Sequence, residues 1–350
     1  MTPTSRDGTL LHLMQPLQQQ LERHDVTELT INQPGEYWTR ENGGWRHHAA
    51  PELTAGMLNA LSNAMIVYNG LAPAPVSSVV LPQGWRGQIV LPPAVIDGSV
   101  SLSIRKHNGT SRQLVELADA GAFDSWKDTS YHNPTAEEIE ILKRVHGVHR
   151  LDETDAQLLQ LKRRGDMPAF LGACVAHHRN IVIAGKTGSG KTTFARALIQ
   201  AVPPEERLVT IEDVHELHLP GHPNRVHMLY GDGAGRISAD ACLASCMRQS
   251  PDRIFLAELR GNEAWEYLMA LNTGHPGSVT TTHANSAAAA FERIALLVKK
   301  SPAGRDIDID VIRQVLFSTI DVVLYFANWK LAEVFYDPIY ARERITGSRG

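Results

Sequence analysis

Residues Gly185-Lys186-Thr187-Gly188-Ser189-Gly190-Lys191-Thr192 fit the pattern G-x-x-x-x-G-K-[ST] without mismatch. That pattern is built to hold the phosphates of a nucleoside triphosphate. Its glycines let backbone N–H groups turn inward around phosphate oxygens, where a Cβ would obstruct them. Lys191 has the reach for the β- and γ-phosphates, and the Thr192 hydroxyl is suited to Mg²⁺. Gly185, Thr187, Gly188, Ser189, Gly190, Lys191, Thr192 and Thr193 are therefore the expected ATP-binding set. The flanks agree with this. Ile181 to Ala184 reads as a short buried strand, and Thr193 to Val202 as a helix that stops at Pro203-Pro204. Such a helix points its positive end at the same phosphates.

A phosphate loop binds ATP but does not cleave it. Cleavage needs a carboxylate to orient or deprotonate water and a further acid or hydroxyl to help hold Mg²⁺. Pro251 to Glu258, PDRIFLAE, is an apolar strand ending in an acid. Its position fits a strand adjacent to the phosphate-loop strand, with Glu258 at the carboxyl end as the base and a contributor to the metal site. The plainer alternative is a strand-end glutamate paired with Arg260. Arg207 to Glu216, RLVTIEDVHE, is a second strand ending in acids, Glu212 and Asp213, one of which is expected at Mg²⁺ or its waters. Gly274 to His283, GHPGSVTTTH, is a turn leading into a hydroxyl-rich strand with a terminal histidine. His283 there suits a γ-phosphate sensor.

Two domains must position these groups. Residues 5–24 show amphipathic helical spacing with Pro16 as a kink. Val26 to Ile31 and Glu36 to Arg40 read as strands around Asn32-Gln33-Pro34-Gly35, and Asn42-Gly43-Gly44 as a second turn. Leu53 to Tyr68 reads as a helix, followed by strands at Val76 to Leu81, Arg86 to Leu91 and Ser99 to Ile104. Residues 1–110 are thus a small α+β domain. Residues 111–165 read as a linker with short helices at Ala136 to Val145 and Asp155 to Lys162. From 166 to 350 strands and helices alternate, the mark of an α/β domain with a mostly parallel sheet. Helices are expected near Ala239 to Arg248 and from Ser286 to Lys300, and a hairpin around Asn328-Trp329.

The 350 residues suit two domains, and 43% hydrophobic with 21% charged residues is ordinary globular composition. A net charge of −4 without clustered Lys or Arg argues against a nucleic-acid motor that grips its track through phosphates. Cys174, Cys242 and Cys246 are too few for a disulfide framework and read as buried thiols. No apolar run approaches the roughly 20 residues that span a bilayer. A cytoplasmic or peripherally membrane-attached location is expected.

Taken in order, GKTGSGKT, RLVTIEDVHEL, PDRIFLAELRG and GHPGSVTTTHA resemble the boxes of the secretion ATPases that power pili and type II and type IV secretion. Asp25 to Trp45 and Ser103-Ile104-Arg105-Lys106 resemble the hexameric traffic ATPase of type IV secretion systems. The resemblance implies a RecA-like C-terminal domain, a ring of six and inner-membrane partners of a secretion channel. It also favours Glu212 over Asp213 and implies that Arg86 and Arg105 approach the γ-phosphate. Pilus or type II secretion motors and a RecA-like nucleic-acid motor are the alternatives. Two positions depart from the family pattern: Ala257 replaces the usual Gly before the catalytic Glu, and Ser250 replaces an Arg found in many members.

Overall fold

The computed structural model describes residues 5–41, 44–106, 112–231 and 236–346. Asn42-Gly43 of the expected turn, and the boundary expected at 110/111, lie outside the described residues. The chain forms two compact units. The first takes Met1–Gly109 with Val214–Glu216 and Gly231–Arg236, and the second Thr110–Asp213, Leu217–Tyr230 and Ile237–Gly350.

In the first unit, α1 (Ser5–Leu13) and α2 (Gln15–Glu22) replace the single expected helix. The break falls at Met14, so that Pro16 sits in the first turn of α2, where its missing N–H is not needed. Strands β1 (Val26–Ile31), β2 (Glu36–Glu41) and β3 (Gly44–Ala49) precede α3 (Ala55–Tyr68), and β4 (Val76–Val80), β5 (Arg86–Val90) and β6 (Ser101–Arg105) follow it. They form one antiparallel sheet in the order β3-β2-β1-β6-β5-β4. Alternate residues such as Leu29, Ile31, Ile89, Leu102 and Ile104 are buried with Leu17, Leu21, Leu61 and Met65 of the helices. The period-2 pattern therefore leaves the opposite sheet face to polar side chains.

The second unit begins with α4 (Leu114–Asp119), β7 (Lys127–Asp128), α5 (Ala136–Leu142), α6 (Glu153–Arg164) and α7 (Met167–Ala176). Then come β8 (Ile181–Gly185), α8 (Lys191–Gln200), β9 (Leu208–Glu212), β10 (Arg225–Leu229), α9 (Ala239–Cys246), β11 (Arg253–Leu256), α10 (Glu263–Asn272) and β12 (Val279–Thr282). Last are α11 (Ala287–Lys300), α12 (Ile309–Thr319), β13 (Val322–Ala327), β14 (Lys330–Tyr336) and α13 (Pro338–Thr346). Strands order as β12-β8-β13-β14-β7 and as β10-β9-β11. The two sheets meet edge to edge: Leu259 N donates to Thr281 O at 2.8 Å and Thr281 Oγ1 to Ala257 O at 2.9 Å. β8, β9, β11 and β12 are buried along their whole lengths, as parallel strands covered on both faces must be.

Two expectations change. β11, expected beside the phosphate-loop strand, pairs with β9, while β12 and β13 flank β8. Hydrophobic runs identify buried strands but carry no information on their lateral order. Residues 111–165, read as a linker, contribute to the core of the second unit. Leu114, Leu117, Phe123, Ile139 and Leu151 are buried with Phe194, Phe326 and Leu331, and β7 pairs with β14. The weak periodicity there reflects short elements that each bury only a few side chains. Phe123 lies 6.1 Å from Phe194, ring centre to ring centre. Phe123→Ala should therefore destabilise the second unit by about 3 kcal/mol. Urea unfolding followed by far-UV circular dichroism checks this, and a loss under about 0.5 kcal/mol, the range of ordinary surface substitutions, would mean a loosely attached segment.

Candidate active site

Matched register brings the chemical stations to one end of the sheet. β12 pairs with β8 from Val279↔Ile181 to Thr282↔Ala184, so His283 emerges level with Gly185. β11 pairs with β9 from Arg253↔Leu208 to Leu256↔Ile211, so Glu258 and Asp213 leave their strands at the same end. Carboxyl ends of parallel strands are where ligands bind in open α/β sheets.

The loop from Gly185 to Gly190 depends on left-handed backbone, with φ of 77° at Gly188 and 96° at Gly190. Gly190 caps α8, which starts at Lys191, so the first free N–H groups of the helix open onto the loop. A Cβ at Gly185 would meet Phe326 O at 2.6 Å as well as Ser189 Oγ. Lys191 is buried, and its Nζ donates to Gly185 O at 2.9 Å and Lys186 O at 3.0 Å. Thr192 and Thr193 are half-buried in the first turn of α8.

From Lys191 a line of charged groups crosses to the strand ends. Lys191 Nζ lies 3.5 Å from His283 Nδ1. An ammonium can only donate, so this contact assigns the imidazole proton to Nε2. Nε2 faces Glu258 Oε1 at 2.9 Å, off the axis of a hydrogen bond, and Oε1 accepts no hydrogen bond among the described residues. The other oxygen, Oε2, accepts from Arg260 Nη2 at 2.7 Å, and Arg260 Nη1 donates to Asp213 Oδ2 at 2.7 Å. The pairing of Glu258 with Arg260 is thus present, but as one link in a cluster rather than an isolated surface bridge. Sequence reading gave Arg260 no role of its own. The signal was its place two residues after Glu258, which puts both on one side of an extended chain.

The strand-end acids of β9 are sorted by environment. Glu212 is fully buried, its Oε1 accepting from Thr210 Oγ1 at 2.8 Å and its Oε2 from Leu217 N at 2.7 Å. Asp213 is the acid that Arg260 joins to Glu258. Arg86 and Arg105 stand opposite each other on β5 and β6, and Arg86 pairs with Glu216 at 2.6 Å within the first unit. Directly opposed like charges are unfavourable on a sheet, and Glu216 offsets this at Arg86. Ala257 is half-buried and in regular pairing, its N donating to Ile211 O at 3.0 Å, so the added methyl is accommodated. Ser250 takes φ of 50°, the left-handed turn ahead of Pro251.

These residues fit a nucleotide's phosphates. The loop offers a glycine cradle and a buried ammonium, while Ser189 Oγ and Glu258 Oε1 are buried without a hydrogen-bond partner among the described residues. Buried polar atoms of that kind call for a ligand or water.

The family described as Type II/IV secretion system protein matches residues 136–324. The type IV secretion system protein VirB11 of Brucella suis biovar 1 (strain 1330) is 38% identical over 341 residues, covering 93% of this chain and 89% of that protein. The crystal structure of the VirB11 ATPase from the Brucella suis type IV secretion system, in complex with sulphate, aligns with a TM-score of 0.54 at 37% identity, covering 97% of each chain. The pilus retraction motor PilT with bound ADP aligns with a TM-score of 0.57 at 17% identity, covering 96% of this chain and 86% of that one, a likeness of fold alone. The RecA-like α/β architecture expected from sequence agrees with these structures.

Burial, and then the charge of Lys191, holds His283 below its ordinary imidazole value against the opposing pull of Glu258. A histidine whose folded value is lowered costs stability as pH falls through the unfolded value near ~6.5, because the unfolded chain takes up the proton first. Wild-type protein should therefore lose more melting temperature between about pH 7 and 5 than His283→Asn does. Parallel scans of the two proteins check this, and identical losses would mean that His283 titrates as a free imidazole.

Proposed function

The chain belongs to the VirB11 family of type IV secretion ATPases, and on that premise we propose how its residues bind and cleave ATP. Lys191 and the backbone N–H groups of Gly188 to Thr193 hold the β- and γ-phosphates. Thr192, Glu212 and Glu258 are the residues that would hold Mg²⁺, Glu212 only by exchanging its bonds to Thr210 Oγ1 or Leu217 N for the ion or its waters. When bound, Mg²⁺ neutralises charge on the phosphate oxygens and so favours the departure of ADP.

Glu258 is the general base. One observation carries this reading: Glu258 Oε1 is buried, accepts no hydrogen bond among the described residues, and stands at the strand end joined through His283 to Lys191. An oxygen so placed is open to the proton of an attacking water, which then adds to the γ-phosphorus as the bond to ADP breaks. His283, with its proton on Nε2, donates a hydrogen bond toward the transferring phosphoryl oxygens without carrying charge. Arg260 must release Glu258 or turn with it, since a salt-bridged carboxylate is a weaker base. Arg86 and Arg105 are assigned to the γ-phosphate, for which Arg86 would exchange its pairing with Glu216.

Turnover by such a site energises type IV secretion and the pilus assembly and substrate transfer that go with it. We further propose a six-membered ring of this chain, working with inner-membrane components of the channel and peripheral to that membrane. Among the described residues no helix is long and apolar enough to cross a membrane, which is compatible with that placement.

Glu258→Gln keeps the shape of the side chain but removes its basicity. ATP binding should stay near wild type while turnover falls by ~10² to 10⁴, or about 3 to 5 kcal/mol of transition-state stabilisation. Retention of more than about a third of wild-type turnover by folded protein would exclude Glu258 as the base. Lys191→Ala should abolish hydrolysis with the far-UV spectrum unchanged, because its ammonium serves the phosphate loop, bonding Gly185 O and Lys186 O beside His283. Unchanged turnover would remove the loop from the chemistry.

A further inference from the structure

The β13–β14 turn holds an aromatic residue that the phosphate chemistry does not use. Ala327 pairs with Lys330, so Asn328 and Trp329 alone form the turn, with φ of 50° and 64°. Positive φ at both positions is a type I′ turn, for which Asn-Gly is the favoured pair. Asparagine fits the first position. A bulky side chain at the second is a backbone outlier that a glycine would relieve. Such strain at an otherwise regular hairpin asks what the side chain does there.

The indole lies against the phosphate loop while remaining 56% exposed. A Cβ added at Gly190 would come within 2.9 Å of Trp329 Cε3 and 3.3 Å of Cδ2. Beneath it, Phe194 of α8 and Phe326 of β13 stack with ring centres 3.8 Å apart, so the turn is fixed to the helix that follows the loop. Register holds it in place: Phe326 of β13 pairs with Gly185, the first loop residue.

Sheet order gives the side of the site on which Trp329 stands. β8 lies between β12 and β13. Glu258 and His283 occupy the β12 side, which is where the γ-phosphate must end for them to act on it. The triphosphate crosses the loop from there, so its nucleoside end leaves over the opposite side, toward the β13–β14 turn. We propose that Trp329 is the stacking platform for the nucleobase, taking a planar purine ring on its exposed face. This rests on the phosphate-loop reading above and extends it to the other end of the ligand. Stacking is tolerant of base identity because every base offers a π-face, so Trp329 confers affinity for purine nucleotides without selecting adenine over guanine.

The test is calorimetric titration of the full chain with ADP, GDP and inorganic tripolyphosphate, on wild type and on Trp329→Ala, Trp329→Gly and Trp329→Phe. Removing a stacked aromatic weakens base binding by roughly ten-fold in comparable platforms. ADP and GDP should each weaken by about that factor in the Ala and Gly variants and by less than about three-fold in Phe, while tripolyphosphate stays within about two-fold throughout. Trp329→Gly should also melt higher than wild type without ligand, since it creates the preferred turn pair; gain of stability with loss of purine affinity is a signature that a merely structural tryptophan cannot give. Unchanged ADP affinity in Trp329→Ala overturns the proposal. Equal loss of all three ligands also overturns it, identifying Trp329 as a prop for the Gly190 backbone. Wild type binding neither ADP nor tripolyphosphate would overturn the phosphate-loop reading, and the proposal with it.

Discussion

The pairing of Val279–Thr282 with Ile181–Ala184, residue against residue without a slip, decides where the chemistry of the second unit can occur. A one-residue shift would move every side chain of β12 to the other face and carry His283 away from Lys191. The same applies to β11 against β9, whose register sets Glu258 and Asp213 at one level. Strands buried on both faces specify register through packing, because a one-residue slip would set each side chain against the wrong neighbours on both covered faces. Core packing is thus the source of the site's precision, and none of the strand-end groups needs its own local scaffold.

Charge in the site is balanced. Lys191 and Arg260 are cationic, Glu258 and Asp213 anionic, and His283, its imidazole held below the ordinary value by burial and by Lys191, lies between the first and the third. A triphosphate upsets this balance with several negative charges at once. It competes with loop carbonyls for Lys191 and offers Arg260 alternatives to its two carboxylates. Ligand charge and side-chain rearrangement are coupled through Coulomb forces acting over a few ångströms, where partial burial weakens solvent screening.

Most of the site could be read in the sequence, because phosphate binding demands glycines, a lysine and a hydroxyl at fixed spacing along a single loop. The strands bearing Glu212, Glu258 and His283 were equally legible, the first two as largely apolar runs ending in acids and the third as a hydroxyl-rich run ending in a histidine. What one dimension could not supply was lateral order: β11 reads like a neighbour of β8, yet β12 intervenes. β3 escaped notice because its residues are exposed or half-exposed with no alternation to read, and β10 because its residues are half-buried in the middle and exposed at both ends. Between Asp213 and Glu212 only the resemblance gave a preference, for Glu212; their surroundings differ, Thr210 and Leu217 N holding Glu212 and Arg260 holding Asp213. Arg260 itself was visible only as a charge beside a charge.

The pairing of β7 with β14 joins residues some two hundred positions apart, and it is not alone. Ser130 Oγ donates to Tyr336 O at 2.9 Å, Lys162 Nζ to the same carbonyl at 3.0 Å, and Arg342 pairs with Asp155. A chain leaving the ribosome makes the 112–164 segment well before its partners in β14 and α13. Closing so long a loop is entropically costly and slow, and it cannot begin before the partner strand exists. Leu114, Phe123 and Leu151 therefore wait, exposed, through the synthesis of most of the second unit. Nascent chains that already carry a complete phosphate loop but not yet the β13–β14 hairpin expose apolar surface open to chaperones and proteases, and this unit cannot complete its fold until that hairpin has been made.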